Sequence, residues 1–280
     1  AERVFNGPYG SYVHLDLRHL GEKIINEKLP FVRELTQNYV GLDPVHDPIP
    51  VRPVVHYMMG GIHTDINAVT PIPGLFAAGE TACVSMNGAN RLGSNSLSEL
   101  LVFGARAGKS AAAFATGQEY PSATILESLV RDEKARIEAN YSQPRKGKER
   151  LADIRKELQN SLEQGAGIYR TKIDLKTTCE TIQSLKKRYK QVELDDQSSV
   201  FNTELISAIE LGYMIDVAEA VAHSALQREE SRGSHSRSDF EERNDETFLR
   251  HSLAYRTEDT PKIDYIPVAI TRWKPEERKY

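Results

Sequence analysis

Residues 87–101 read NGANRLGSNSLSELL, a loop with two glycines that leads into a sequence with helical spacing. Ser96 and Glu99 stand three residues apart, as in a capping box, where each side chain satisfies a backbone N–H of the first turn. A run rich in Gly and Ala follows and closes at Gly117. The pattern predicts a helix of about 20 residues that begins at Ser96 and packs closely against a sheet or a ligand.

Arg91 lies on the loop directly before this helix. The first amides of a helix and the positive end of its dipole attract anions, and glycines let a ligand approach the backbone. A guanidinium adds a planar, bidentate donor for carboxylate or phosphate. Two interpretations follow: an ordinary surface or packing arginine, or a clamp for an anionic ligand.

Two upstream stretches also contain candidate residues. VVHYMMGGIHTD, residues 54–65, predicts a short apolar strand, a Gly-Gly turn and a second strand, with His56 near the end of the first. His56 is either a buried core histidine or a donor to a substrate carboxylate. GLFAAGE, residues 74–80, predicts a buried strand that ends at Glu80, where dinucleotide-binding folds place a carboxylate for sugar hydroxyls.

The remaining chain predicts mixed architecture. SYVHLDLRHL, residues 11–20, alternates like a strand, and residues 21–41 have helical spacing that ends at Gly41. Residues 122–230 contain four amphipathic helical stretches, which predict an antiparallel bundle. The tail begins polar and irregular and then alternates like a hairpin over residues 251–273.

Composition excludes several classes of protein. The chain has 280 residues, a net charge of −4 and a pI near 6.1, so it has no global basic field for nucleic acid. The basic clusters at 143–150 and 186–190 adjoin acidic helical sequence, which predicts solvated helix ends. Two cysteines in separate segments predict no disulfide framework, and no apolar run is long enough to span a membrane.

Five stretches of the chain resemble one family. They are DPIPVRPVVHYMMGGIHTD, TPIPGLFAAGETACVSMNGANRLGSNSLSELLVFGARAG, GAGIYRT, SSVFNTELISAIELG and ESRGSHSRSDFEERND. That family is the flavoprotein subunit of fumarate reductase and succinate dehydrogenase. The similarity spans nearly the whole chain, and its motifs are long and specific.

The resemblance implies an α/β plus all-α fold that corresponds to the C-terminal half of such a subunit. Its implied domains are the end of a capping domain at 1–47 and the return half of a Rossmann-like FAD-binding domain at 48–118. A helical bundle at 119–230 and a small α+β C-terminal domain at 231–280 complete the chain.

The resemblance also assigns roles to the candidate residues. His56 and Arg91 would grip a carboxylate of fumarate or succinate, and Glu80 would bind the sugar portion of FAD. The implied FAD-binding residues are Glu80, Asn90, Ser96 and Leu97. No metal site is implied. The segment 230–245 is either an exposed loop or a part that packs near the flavin or an iron-sulphur partner.

Three family features are expected upstream of Ala1: the glycine-rich turn for the FAD pyrophosphate, the histidine that often bonds to the flavin, and the proton-donating arginine. The implied enzyme exchanges a hydride with FAD and electrons with an iron-sulphur subunit and quinone. We expect it on the cytoplasmic face of the inner membrane, held by anchor subunits, with no nucleic-acid partner. The alternatives are an L-aspartate oxidase and a truncated, non-catalytic fragment that binds partner subunits.

Overall fold

The computed structural model describes residues 4–8, 10–141 and 149–276. The chain divides into two compact units, Ala1–Met58 and Met59–Tyr280. Each is described by itself, and the four-domain division stays a prediction.

The first unit contains a three-stranded antiparallel sheet and two helices. Its elements are β1 (Phe5–Gly7), β2 (Gly10–Leu15), α1 (Gly21–Lys28), α2 (Pro30–Val40) and β3 (Ile49–Val51), and the strand order is β1-β2-β3. The predicted helix over 21–41 is two helices, because Pro30 has no N–H to continue α1 and instead begins α2. The predicted end at Gly41 is confirmed, with φ +73° at that glycine.

The second unit begins with a parallel strand pair and a long helix, β4 (Ile62–His63), β5 (Ala82–Cys83) and α3 (Asn95–Thr116). Of the two strands predicted over 54–65, the second is confirmed as β4. The prediction of the first strand is wrong, because residues 52–61 form no strand and Val55 is 88% exposed. The strand predicted over 74–80 is also wrong. Its only ladder contact among the described residues is the bridge between Val69 and Phe76, and the chain then turns at Gly79.

The four predicted helical stretches are confirmed as α4 (Ala123–Tyr141), α5 (Leu151–Gly165), α6 (Lys172–Tyr189) and α7 (Thr203–Gln227), with β6 (Tyr169–Arg170) between α5 and α6. Helices α5, α6 and α7 enclose the main apolar core, which includes Ile154, Leu158, Ile182, Leu185, Leu211 and Ile215. Among the described residues, no helix is long and apolar enough to cross a membrane.

The basic cluster at 186–190 lies at the C-terminal end of α6 and is only partly solvated, since Lys187 and Lys190 are exposed whereas two other members form ion pairs. Lys186 Nζ lies 2.5 Å from Glu219 Oε2, and Arg188 Nε lies 3.0 Å from Glu149 Oε1. The cluster therefore joins elements of the bundle through ion pairs. Of the other cluster, residues 143–148 lie outside the described residues.

The C-terminal part comprises β7 (Ser236–Arg237), α8 (Asp245–Phe248), β8 (Arg250–Tyr255) and β9 (Lys262–Pro267). The predicted hairpin is confirmed as β8 and β9, which pair antiparallel over six positions. Strand β7 pairs parallel with β6, so the tail is joined to the helical bundle by backbone hydrogen bonds.

Candidate functional site

Helix α3 begins at Asn95, one residue earlier than predicted, and the capping box is wrong. Its N-cap residue is Ser94, in the left-handed region at φ +66°, and no side chain caps the helix. Ser96 therefore lies inside the first turn. The predicted helix length and the end at Gly117 are confirmed.

Glu99 anchors the loop instead of capping the helix. Its side chain is 3% exposed, and its Oε2 accepts a hydrogen bond from Asn87 Nδ2 at 2.5 Å. This bond joins the start of the NGANRLG loop to the first turns of α3. Sequence reasoning missed this anchor, although the Asn-Gly pair at 87–88 is a recognised turn signal.

The loop presents the predicted ligand-binding side chains at the start of α3. Arg91 is half-buried, and its Nη1 donates to the Leu92 carbonyl oxygen at 3.4 Å. Asn90 is exposed, Ser96 is half-buried, and Leu97 is 64% exposed. An amide, a hydroxyl and an exposed apolar side chain thus belong to the same short segment as the guanidinium.

Glu80 is exposed and follows Gly79, which is in the left-handed region at φ +83°. A Cβ atom on Gly79 would lie 2.6 Å from Cδ2 of Leu100, so this turn packs directly against α3. The structure therefore brings the turn that carries Glu80 to the helix that carries Ser96 and Leu97.

His56 lies in the first unit, on a segment without regular secondary structure, and is exposed. It therefore does not end a strand as predicted, nor is it a buried core histidine. Its pairing with Arg91 stays a prediction.

The segment 230–245 is only partly an exposed loop, because several charged groups inside it are buried and paired. Glu230 is fully buried and accepts hydrogen bonds from Arg228, from Arg232 and from the backbone N–H of Asn244. Arg232 also binds Asp245 at 2.6 Å. Charge density in the sequence suggested exposure, whereas the mutual pairing of these charges permits burial.

Arg237 is the second buried charge of this segment. Its Nε and Nη2 bind both oxygens of Asp239, at 2.7 and 2.9 Å. Its Nη1 donates to the carbonyl oxygens of Ala225, Leu226 and Arg228, at 3.2, 3.3 and 3.0 Å, and so satisfies the C-terminal end of α7. The guanidinium lowers the pKa of Asp239 to about 2, chiefly through these hydrogen bonds.

Two family sequence models match the chain. Residues 2–97 match a family described as FAD binding domain, and residues 155–280 match one described as fumarate reductase flavoprotein C-term. The chain is 54% identical to the fumarate reductase flavoprotein subunit of Mycobacterium tuberculosis over 99% of its length, and that alignment covers 48% of the relative. The chain belongs to the fumarate reductase and succinate dehydrogenase flavoprotein family.

Two further relatives place the chain within this flavoprotein family. It superposes on a mutant of Escherichia coli quinol fumarate reductase FrdA with a TM-score of 0.92 and 46% identity, covering 98% of this chain and 47% of that one. It is 40% identical to the succinate dehydrogenase flavoprotein subunit of Coxiella burnetii over 89% of its length and 44% of the relative. The chain thus spans about half the length of the relatives it matches. These relatives do not favour the L-aspartate oxidase alternative.

FAD is the cofactor of this flavoprotein, since residues 2–97 match the FAD binding domain. The residues present fit that cofactor. Leu97 offers apolar surface to a planar ring, Glu80 offers a carboxylate to sugar hydroxyls, and the positive N-terminal end of the α3 dipole favours an electron-rich ring edge.

Proposed function

We propose that this chain supplies part of the FAD site and part of the dicarboxylate site of an enzyme that interconverts fumarate and succinate. The observation that carries the proposal is the 54% identity to a fumarate reductase flavoprotein subunit across 99% of the chain, a span that includes the Arg91 loop. The domain ranges 1–47, 48–118, 119–230 and 231–280 are proposed as its capping, FAD-binding, helical and C-terminal parts.

Substrate binding is proposed for Arg91 and His56. A guanidinium offers two parallel N–H donors that match the two oxygens of a carboxylate, and an imidazole adds a further donor. Holding the dicarboxylate in one orientation fixes the carbon that reacts and polarises the double bond of fumarate. The proton donor is expected to be an arginine that these 280 residues do not supply.

Cofactor binding is proposed for Glu80, Asn90, Ser96 and Leu97. FAD, when bound, supplies the hydride acceptor and donor of the reaction. Glu80 would accept hydrogen bonds from sugar hydroxyls, and the positive N-terminal end of the α3 dipole would stabilise negative charge at the ring edge. Asn90 and Ser96 fix the loop around the cofactor, while Leu97 covers its apolar surface.

Partner subunits follow from the same proposal. Electrons pass to or from an iron-sulphur subunit, which docks on membrane anchor subunits that react with quinone. The enzyme would then lie on the cytoplasmic face of the inner membrane. One of the structures that the chain resembles is a quinol-fumarate reductase with menaquinol molecules, at a TM-score of 0.91, which supports an assembly of this kind.

The substrate assignment is tested by Arg91→Ala and His56→Ala in the native protein that carries this chain. Each lost charge-assisted hydrogen bond costs about 1.5–3 kcal/mol, so removal of a bidentate contact lowers kcat/KM by about 10²–10⁴-fold. Flavin content should stay at the wild-type level. The control is His19→Ala, since His19 is an exposed histidine of the same unit as His56. Loss of flavin from the Arg91 or His56 variant would mean that these residues bind the cofactor instead.

The cofactor assignment is tested by Glu80→Ala with Glu119→Ala as the control, since both glutamates are exposed. Glu80→Ala should weaken FAD retention, measured by flavin absorbance after gel filtration, whereas the control should retain it. Unchanged retention in Glu80→Ala would remove the proposed role.

The preferred direction of the reaction is a separate measurement. It is given by comparing fumarate reduction driven by a reduced viologen with succinate-driven dye reduction on the same sample.

A further inference from the structure

A tight hairpin turn of the C-terminal segment contacts the backbone of the NGANRLG loop. The turn is closed by the Arg232 N–H donating to the His235 carbonyl oxygen at 2.8 Å and by the reciprocal bond at 3.0 Å. Ser234, at its tip, donates from both its backbone N–H and its Oγ to the carbonyl oxygen of Ala89, at 3.0 and 2.8 Å. Ala89 lies two residues before Arg91, so one carbonyl of the Arg91 loop receives two donors from a residue 145 positions away.

Gly233 lets this turn approach the loop. It lies in the left-handed region at φ +59°, the conformation that tight hairpin turns favour for glycine. A Cβ atom there would lie 2.7 Å from both the carbonyl carbon and the carbonyl oxygen of Ala89. The two backbones are therefore in direct contact, with no room for a side chain between them.

The turn is itself held firmly. His235 is 9% exposed; its Nδ1 accepts from Arg170 Nη1 at 2.9 Å, and its Nε2 donates to the Arg228 carbonyl oxygen at 3.0 Å. Burial lowers the pKa of His235 to about 4, so the ring is neutral near pH 7 and keeps this donor and acceptor arrangement. Arg232 is fixed by the buried Glu230.

A second link joins the same loop region to strand β8. The Oγ of Ser85 lies 2.7 Å from Nε2 of His251, and Ser85 is in the left-handed region at φ +72°. With the bond from Asn87 to Glu99, the approach to Arg91 is held at three points, two of which come from the C-terminal part of the chain.

We propose that Ser234 is a positioning residue for dicarboxylate binding, which acts by fixing the peptide at Ala89 and thereby the placement of Arg91. The inference rests on the proposed function of Arg91. A clamp must hold its donors close to the productive geometry, and a displacement of about 1 Å far from the reacting atoms can cost 10²-fold in rate. Gly233 makes the contact possible, and the C-terminal segment thus takes part in substrate binding without touching the substrate.

The test uses Ser234→Ala and Ser234→Thr in the native protein, with Ser238→Ala as the control, since Ser238 is an exposed serine of the same segment. Ser234→Ala keeps the backbone donor and removes the hydroxyl donor. We expect it to lower kcat/KM for succinate by about tenfold, mainly through KM, with wild-type flavin content and an unchanged melting temperature. Ser234→Thr, which restores a hydroxyl donor, should recover most of the loss, and Ser238→Ala should match the wild type.

The action through Arg91 is tested by combining Ser234→Ala with Arg91→Lys. If Ser234 acts by placing the guanidinium, its removal should have little further effect once the bidentate donor is gone. Full additivity of the two effects would overturn the inference, as would unchanged kinetics in Ser234→Ala or equal losses in Ser234→Ala and Ser238→Ala. Wild-type activity in Arg91→Ala would instead refute the proposed function, so the two failures are distinguishable.

Discussion

Substitution of Glu230 by glutamine should destabilise the protein strongly. The carboxylate is fully buried and receives four donors: Oε1 binds Arg228 Nη1 at 2.6 Å and Arg232 Nε at 2.8 Å, while Oε2 binds Arg232 Nη2 at 3.0 Å and the Asn244 N–H at 2.9 Å. An amide offers only one oxygen, so two of the four donors would face an NH₂ group. The negative charge that balances two largely buried guanidinium groups is lost as well.

Removal of one partner from a buried charge cluster costs about 3–5 kcal/mol. We expect a decrease of that size in the free energy of unfolding of Glu230→Gln, measured by urea denaturation followed by far-UV circular dichroism. The control is Glu229→Gln. Its carboxylate is 40% exposed and pairs with Lys172 on the surface, so its loss should cost less than about 1 kcal/mol. Equal, small effects of both substitutions would refute the argument that burial of the charge network decides its contribution.

Two other predictions concern stability. The pKa of Asp239 is lowered to about 2 by Arg237, so its contribution is present above about pH 4 and is lost as the pH falls towards 2. Because solvent screens this exposed carboxylate, the free energies of unfolding of wild type and Asp239→Asn should differ by about 1 kcal/mol near pH 7 and converge near pH 2, and a constant difference would contradict the linkage. Gly61→Ala should lower the melting temperature, because Gly61 has φ +127° and a Cβ there would overlap the Thr81 carbonyl beside the β4–β5 pair. An unchanged melting temperature would contradict this close packing.

The helices were the most predictable part of the fold. Helix α3 follows from apolar spacing and its terminal Gly117, and the four helices of the 122–230 region follow chiefly from apolar spacing, which are local signals. The break at Pro30 was available in the sequence, since proline has no amide hydrogen, but continuous apolar spacing across 21–41 concealed it. Short strands were less predictable, because their pairing depends on distant partners, as the parallel pair β4 and β5 illustrates.

Short motifs in the sequence name Arg91 and Glu80 as candidate site residues, and their roles stay predictions. The family assignment that those motifs supported is confirmed. The capping box failed because Ser94 adopts a left-handed conformation that no local rule requires, which moves the helix start. The contact of Ser234 with Ala89 was not predictable, since nothing in either stretch indicates a partner 145 residues away.

The guanidinium of Arg237 restricts how this position can vary during evolution. It divides its donors between the two oxygens of Asp239 and three carbonyl oxygens at the end of α7. A lysine would carry the same charge but present only three donors from a single point, which cannot reach both groups of acceptors. Substitution of an exposed arginine by lysine usually has little effect on stability. At position 237 it would leave carbonyl oxygens of α7 without donors, so the substitutions that this position tolerates depend on donor geometry and not on charge.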